Sequence, residues 1–137
     1  MVYSQPIHQI MKQIAIREVK ETDSVSTAIQ RLDQCNISAL PVRSEAGIYS
    51  GVISKSDIAS LRLLKLIQAK RNPDHILVRE IMNRTPPIYV MEHETLQTAL
   101  HQMHQRHIHR LFVADAEYQL IGVISTSDII RLLVVGR

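Results

Sequence analysis

Residues 51–58 read Gly-Val-Ile-Ser-Lys-Ser-Asp-Ile, and residues 122–129 read Gly-Val-Ile-Ser-Thr-Ser-Asp-Ile. One octapeptide occurs twice with a single change, and the two copies lie 71 residues apart. The same offset superposes Ile10-Met11 on Ile81-Met82, Val19 on Val90, Thr27-Ala28 on Thr98-Ala99, Ile37 on Ile108, Leu40 on Leu111, Val42 on Val113 and Leu61 on Leu132. No gap is needed, so the chain is an internal duplication, and its fold is that of one unit built twice.

Each copy carries the same succession of patterns. Val25, Ala28, Ile29 and Leu32 recur at helical spacing behind Ser24, a good N-cap; Leu96, Ala99, Leu100 and Met103 do so behind Thr95. Ala39–Arg43 and Arg110–Asp115 are rich in β-formers, as are Ile48–Ile53 and Leu120–Ile124 after turns at Gly47 and at Ala116-Glu117. A second helix is predicted from Ser56 through Leu61–Ile67, and from Ser127 through Ile129–Val135. Short strands near Ile14–Val19 and Ile88–Met91 precede the first helices, the latter introduced by Pro86-Pro87. The unit is therefore β-α-β-β-α, led by a helical turn ending at Met11 or Met82. The fold class is α/β (α+β). A three-stranded sheet covered on one side leaves an apolar face, so the two repeats are expected to pack through their sheets about a pseudo-two-fold axis. The boundaries read as a first repeat over 7–66, a linker over 67–77 broken at Asn72-Pro73-Asp74, and a second repeat over 78–135.

Composition narrows the function classes. The chain has 137 residues, 45% of them hydrophobic, which is enough for a globular core. The net charge of +3 comes from scattered residues and Trp is absent, so neither a basic nucleic-acid footprint nor a base-stacking surface is expected. The one cysteine, Cys35, forms no internal disulfide and fits a reducing, cytoplasmic setting. The most apolar stretches are interrupted by Arg62, Lys65 and Arg131 and fall short of the ~20 residues a membrane helix needs. No glycine-rich phosphate loop and no nucleophile elbow are present, so an enzyme is not expected. His101, His104, His107 and His109 lie close together, but no zinc-site spacing accompanies them, and solvated histidines are the expected reading, with no metal centre.

The octapeptides, with the lead-in Ile-Met pairs and the strand Ala39-Leu40-Pro41-Val42, resemble the CBS-domain family, named after cystathionine β-synthase. The resemblance spans about residues 7–135. The second copy departs from the Pro-Val pattern with Leu111-Phe112-Val113. The resemblance implies a tandem pair, or Bateman module, standing alone, that senses adenosine-containing ligands (AMP, ADP, ATP or S-adenosylmethionine) in clefts between the repeats. Such pairs commonly form homodimers and regulate a further protein. No cofactor is required for catalysis, since none is implied. The alternative is a dimerisation or partner-docking scaffold with vestigial clefts.

The chemistry of the motif is compatible with that implication. Ser54 and Ser125 offer hydroxyls next to the N–H groups at a helix start. Asp57 and Asp128 lie in the first turn, where a carboxylate is favoured. Each Asp either caps its helix or, as an acceptor-only group, takes the ribose hydroxyls of a ligand. By resemblance the adenine slot involves Ile37, Ser38 and Ala39 in the first copy and Ile108, His109 and Arg110 in the second, with lead-in residues Ile16, Thr85 and Pro87 as the opposite wall. The clefts are expected to be unequal. Arg110 replaces Ala39 and presents a fork suited to phosphate, with His109 beside it.

Overall fold

The computed structural model describes residues 2–10, 18–35 and 37–135. The predicted lead-in residues Ile14–Arg17, Ile16 among them, lie outside the described residues, as does Met11. The helices are α1 (Ile7–Ile10), α2 (Val25–Cys35), α3 (Lys55–Ile58), α4 (Leu61–Gln68), α5 (Leu96–Arg106) and α6 (Thr126–Val135). The strands are β1 (Val19–Lys20), β2 (Ala39–Arg43), β3 (Tyr49–Ser54), β4 (Tyr89–Met91), β5 (Arg110–Ala114) and β6 (Leu120–Ser125). They form two three-stranded sheets, β1-β2-β3 and β4-β5-β6, each with one parallel and one antiparallel pairing.

The duplication is preserved down to individual bonds. Val42 pairs with Gly51 and Val113 with Gly122, and each sheet has its bulge one step later, at Val42/Arg43 and at Val113/Ala114. The Ser24 hydroxyl accepts the Thr27 N–H at 3.1 Å, and the Thr95 hydroxyl accepts the Thr98 N–H at 3.2 Å. A cap of this kind contributes about 1 kcal/mol to its helix. Val25, Ala28 and Leu32 are buried along α2, as are Leu96, Ala99 and Met103 along α5, as the 3.6-residue period predicts. Ile29, expected on the same face, is instead 40% exposed.

The chain folds as two compact units that do not follow the order of the repeats. One is Arg17–Pro87; the other joins Met1–Ile16 to Ile88–Arg137. Each unit thus takes the body of one copy and the lead-in of the other. In the first-copy unit, Val25 N–H donates to the Ile76 carbonyl (2.8 Å), Val78 N–H to Asp23 (2.8 Å) and Arg79 N–H to Glu21 (3.0 Å). In the second-copy unit the corresponding bonds are Leu96 to Gln5 (3.4 Å), Ile7 to Glu94 (2.8 Å) and His8 to Glu92 (3.0 Å). Ile76, Val78, Ile81 and Met82 are buried in the first unit, and Ile7 is fully buried in the core of the second with Leu96, Leu111 and Ile129. Burying each such side chain stabilises by ~1.5–3 kcal/mol, so the lead-ins are integral parts of the cores they enter.

Two departures from symmetry have local causes. The predicted second helix of the first copy is broken into α3 and α4, because Ser60 adopts an extended conformation and its hydroxyl accepts the Leu63 N–H at 3.2 Å. The equivalent residue of the second copy is Arg131, which cannot cap, and α6 runs unbroken. In the β2–β3 turn, Gly47 has φ +80°; its equivalent, Tyr118, must hold φ +62°. Among the described residues no helix is long and apolar enough to cross a membrane.

Candidate functional site

The antiparallel pairing of β2 with β3 sets Ala39 opposite Ser54, and that of β5 with β6 sets Arg110 opposite Ser125. The octapeptide and the preceding apolar segment therefore meet at one end of each sheet. Lys55 N–H donates to the Ser38 carbonyl (2.9 Å) and Thr126 N–H to the His109 carbonyl (2.9 Å), closing the corner where strand passes into helix.

In the first-copy unit, Ser54 is the N-cap of α3. Its hydroxyl accepts the Asp57 N–H (3.2 Å), while its own N–H and hydroxyl donate to Asp57 Oδ2 (2.7 and 3.0 Å). This is a capping box with Asp in the reciprocal position. It redirects two expectations. Ser54 is 8% exposed and its hydroxyl proton is held by Asp57, so it is not a free donor for a phosphate. The N–H groups of Lys55 and Asp57 are likewise engaged within the protein, leaving little of the expected anion-binding helix start. Asp57 is fixed by one oxygen, and Oδ1 takes none of these bonds. Ile37 and Ala39 are buried, Ser38 is exposed, and Pro87 is buried at the end of the same unit. Thr85 is exposed, its N–H bonded to Asn83 Oδ1 at 2.8 Å.

The second-copy unit repeats the corner with a looser grip. Asp128 Oδ2 accepts the Ser125 N–H (3.0 Å), and Asp128 N–H donates to Ser125 Oγ (3.1 Å). Asp128 Oδ1 lies 3.8 Å from Arg131 Nη1, an exposed pair. Ser125 is half-buried rather than buried. His109 is exposed, and its carbonyl also accepts the Thr126 hydroxyl (3.2 Å). Arg110 is half-buried at the start of β5, and Ile108 packs against the core of its unit. Among the described residues, no group of three or more His, Cys, Asp or Glu side chains gathers as a metal site.

A cleft of about 620 Å³ opens beside Asp57 in the first-copy unit, lined by Asp57, Ser60, Arg62, Ile81, Met82, Asn83 and Arg84. Sequence reasoning did not single out Arg62, Arg84 or Asn83. The missing signal was the fold itself, since these residues come from the start of α4 and from the lead-in of the other copy. One wall is held by backbone bonds between Val52 and Asn83 in both directions, 2.9 Å each. The close approach requires Gly51, where a Cβ would stand 2.1 Å from the Asn83 carbonyl oxygen. Behind that wall, Arg71 makes a two-pronged pair with Glu80 (2.6 and 3.0 Å), and Leu77 N–H donates to Glu80 Oε2 (2.8 Å). The Arg71 hydrogen bond first, then the Leu77 N–H, hold the Glu80 carboxyl below its ordinary range.

Comparison with known proteins places this architecture. The family model described as "CBS domain" matches the chain twice, over residues 7–63 and 78–135. The chain is 33% identical over 123 residues to the 5'-AMP-activated protein kinase subunit gamma-3 of Bos taurus, covering 86% of this chain and 24% of that protein. It thus spans about a quarter of that relative's length. Among solved structures, the CBS domain pair of protein MJ0100 in complex with 5'-methylthioadenosine and S-adenosyl-L-methionine is 26% identical, with a TM-score of 0.69 over 94% of this chain and 99% of that one. CBSX2 in complex with AMP is also 26% identical, with a TM-score of 0.68 over 97% and 99%. The repeated octapeptide, the two matched sheets and these likenesses agree: the chain belongs to the CBS-domain family and contains a tandem pair of CBS domains.

Proposed function

We propose that the chain is a regulatory module that senses adenosine-containing ligands and has no catalysis of its own. The observation that carries this reading is the corner of the second-copy unit, where Arg110 pairs with Ser125 beside an Asp128 fixed through one oxygen. A carboxylate held in this way keeps acceptor capacity for the two hydroxyls of a ribose. Arg110 and His109 serve the phosphate, and Ile108 one side of the adenine. In the first-copy unit Asp57 takes the ribose, with Ile37, Ser38, Ala39, Thr85 and Pro87 toward the base. Solved relatives that bind AMP, or S-adenosylmethionine with methylthioadenosine, support the ligand class. The sequence boundaries 7–66, 67–77 and 78–135 go with this reading, as does a cytoplasmic homodimer that regulates another protein.

The scaffold reading rests on a different observation. Leu61, Leu64 and Ile67 on α4, and Ile130 and Val134 on α6, are exposed apolar residues suited to a dimer contact. Thermal unfolding with AMP, ADP, ATP and S-adenosylmethionine separates the two. A ligand at a hundred times its Kd adds about 2.7 kcal/mol to stability. Stabilisation by at least one of them, reduced in Asp128→Ala or Asp57→Ala, is expected; no shift with any of the four favours the scaffold.

A further inference from the structure

We infer that the turn end of the second sheet is a docking surface for an arginine side chain of a partner protein, with Tyr89 and Tyr118 as its aromatic contacts. The surface lies at the Ala114 end of β5, away from Arg110 and the proposed ligand corner at the other end of that strand. It requires no ligand to be bound there.

The first copy makes such a contact within its own chain. Arg43, the last residue of β2, pairs with Glu18 and donates to the Gly47 carbonyl and the Tyr49 hydroxyl, 2.8 Å each. Its guanidinium carbon lies 4.0 Å from the centre of the Tyr49 ring. Ion pairing, hydrogen bonding and cation–π attraction thus converge on one planar group. At the offset of 71, Glu18, Arg43, Gly47 and Tyr49 correspond to Tyr89, Ala114, Tyr118 and Leu120. The backbone frame is the same in both copies. Glu21 N–H donates to the Arg43 carbonyl (2.9 Å) and Glu92 N–H to the Ala114 carbonyl (2.8 Å). Gly47 N–H donates to Ser44 and Tyr118 N–H to Asp115, 3.0 Å each. The second copy therefore keeps the frame and lacks the arginine.

What surrounds Ala114 suits an arginine arriving from outside. Tyr89 is 43% exposed and Tyr118 63% exposed, so two rings stand in solvent at this end of the sheet. Tyr118 holds φ +62°, where Gly47 sits without penalty in the other copy. A ring kept in place against backbone strain points to a use for the ring. The charge around the two rings is negative. Glu92 is bonded to Ala114 through its backbone, and Asp115 and Glu117 form the turn with Tyr118. Residues 85–105 and 111–130 contain no lysine or arginine, although the whole chain carries a net charge of +3. The patch is aromatic and acidic in a basic protein, which is the complement of a cation. Arginine fits better than lysine, because a planar guanidinium stacks on a ring while donating in several directions. The Tyr118 carbonyl is the counterpart of the Gly47 carbonyl that accepts from Arg43.

The test titrates isotope-labelled full-length protein by NMR with three acetylated and amidated tripeptides, Gly-Arg-Gly, Gly-Lys-Gly and Gly-citrulline-Gly. The arginine peptide is expected to shift the amides of Tyr89 and of residues 114–118. Citrulline, of the same shape but uncharged, binds more weakly. An exposed cation–π contact contributes roughly two- to fivefold, so Tyr89→Ala combined with Tyr118→Ala weakens arginine-peptide binding by roughly four- to twentyfold. Ala114→Arg supplies the missing side chain from within and abolishes the binding. Circular dichroism checks that each variant is folded; the tyrosine variants, changed only at exposed side chains, carry the test if Ala114→Arg does not fold. No shift with the arginine peptide, equal binding of citrulline, shifts confined to the Arg110 corner, or unchanged affinity in the double tyrosine variant overturns the inference. Equal binding of the lysine peptide overturns the choice of arginine.

Discussion

Gly51→Ala is the sharpest perturbation this fold offers. A Cβ at residue 51 would lie 2.1 Å from the Asn83 carbonyl oxygen and 2.5 Å from Met82 Cε. The methionine tip can swing aside, but the carbonyl is backbone and must retreat by more than ~1.3 Å to reach ordinary van der Waals distance. That retreat breaks or weakens both 2.9 Å bonds between Val52 and Asn83. Overpacking costs ~1–3 kcal/mol and each lost bond ~0.5–1.5 kcal/mol, so the substitution is expected to destabilise by roughly 2–6 kcal/mol. Gly47→Ala is the control: a Cβ there meets nothing within 4 Å, and only its φ of +80° is penalised, by ~1–2 kcal/mol. Urea unfolding followed by circular dichroism gives both values, and amide exchange at Val52 and Asn83 reports whether the lead-in has come away. If Gly51→Ala is no more destabilising than Gly47→Ala, and both amides stay protected, the tight seating of the lead-in on β3 is refuted.

Tyr118 occupies the left-handed conformation that Gly47 takes in the other copy, so Tyr118→Gly should leave stability unchanged or raise it by up to ~1 kcal/mol, read from the urea midpoint; a clear loss would show that the ring contributes more than the backbone strain. The Arg71–Glu80 pair makes a prediction with a sign. Glu80 titrates lower in the folded protein than in the unfolded chain, so its contribution is full above the unfolded carboxyl pKa of about 4.3 and fades as pH falls through the lower folded value. Glu80→Gln should therefore flatten the acid limb of unfolding free energy against pH, and an identical limb in both proteins would contradict the pairing.

Much of this architecture could be read before any coordinates. Helical spacing marks the buried faces of α2 and α5, and the β-rich runs around Leu40 and Leu111 mark strands that pair as the repeat requires. The break before α4 departs from the single helix predicted from Ser56 through Leu61–Ile67; its cause is Ser60, which stands where the other copy has Arg131 and starts a new helix. The exchange of lead-ins is not legible, for a physical reason. Both copies make the same bonds at the same register, so Val78 fits the Asp23 carbonyl as Ile7 fits that of Glu94, and local pattern cannot say which lead-in docks on which body. Arg84, at the cleft beside Asp57, was hidden by the same ambiguity. At Ser54 the motif itself held the answer: a serine three residues before an acid signals a reciprocal cap as readily as a ligand contact, and the structure forms that cap.

The traded lead-ins also bear on heredity. A gene fragment ending near residue 66 would encode a body without the segment that fills its core, together with a segment whose host is missing. Recombination that moves half of this gene therefore delivers an unfinished object.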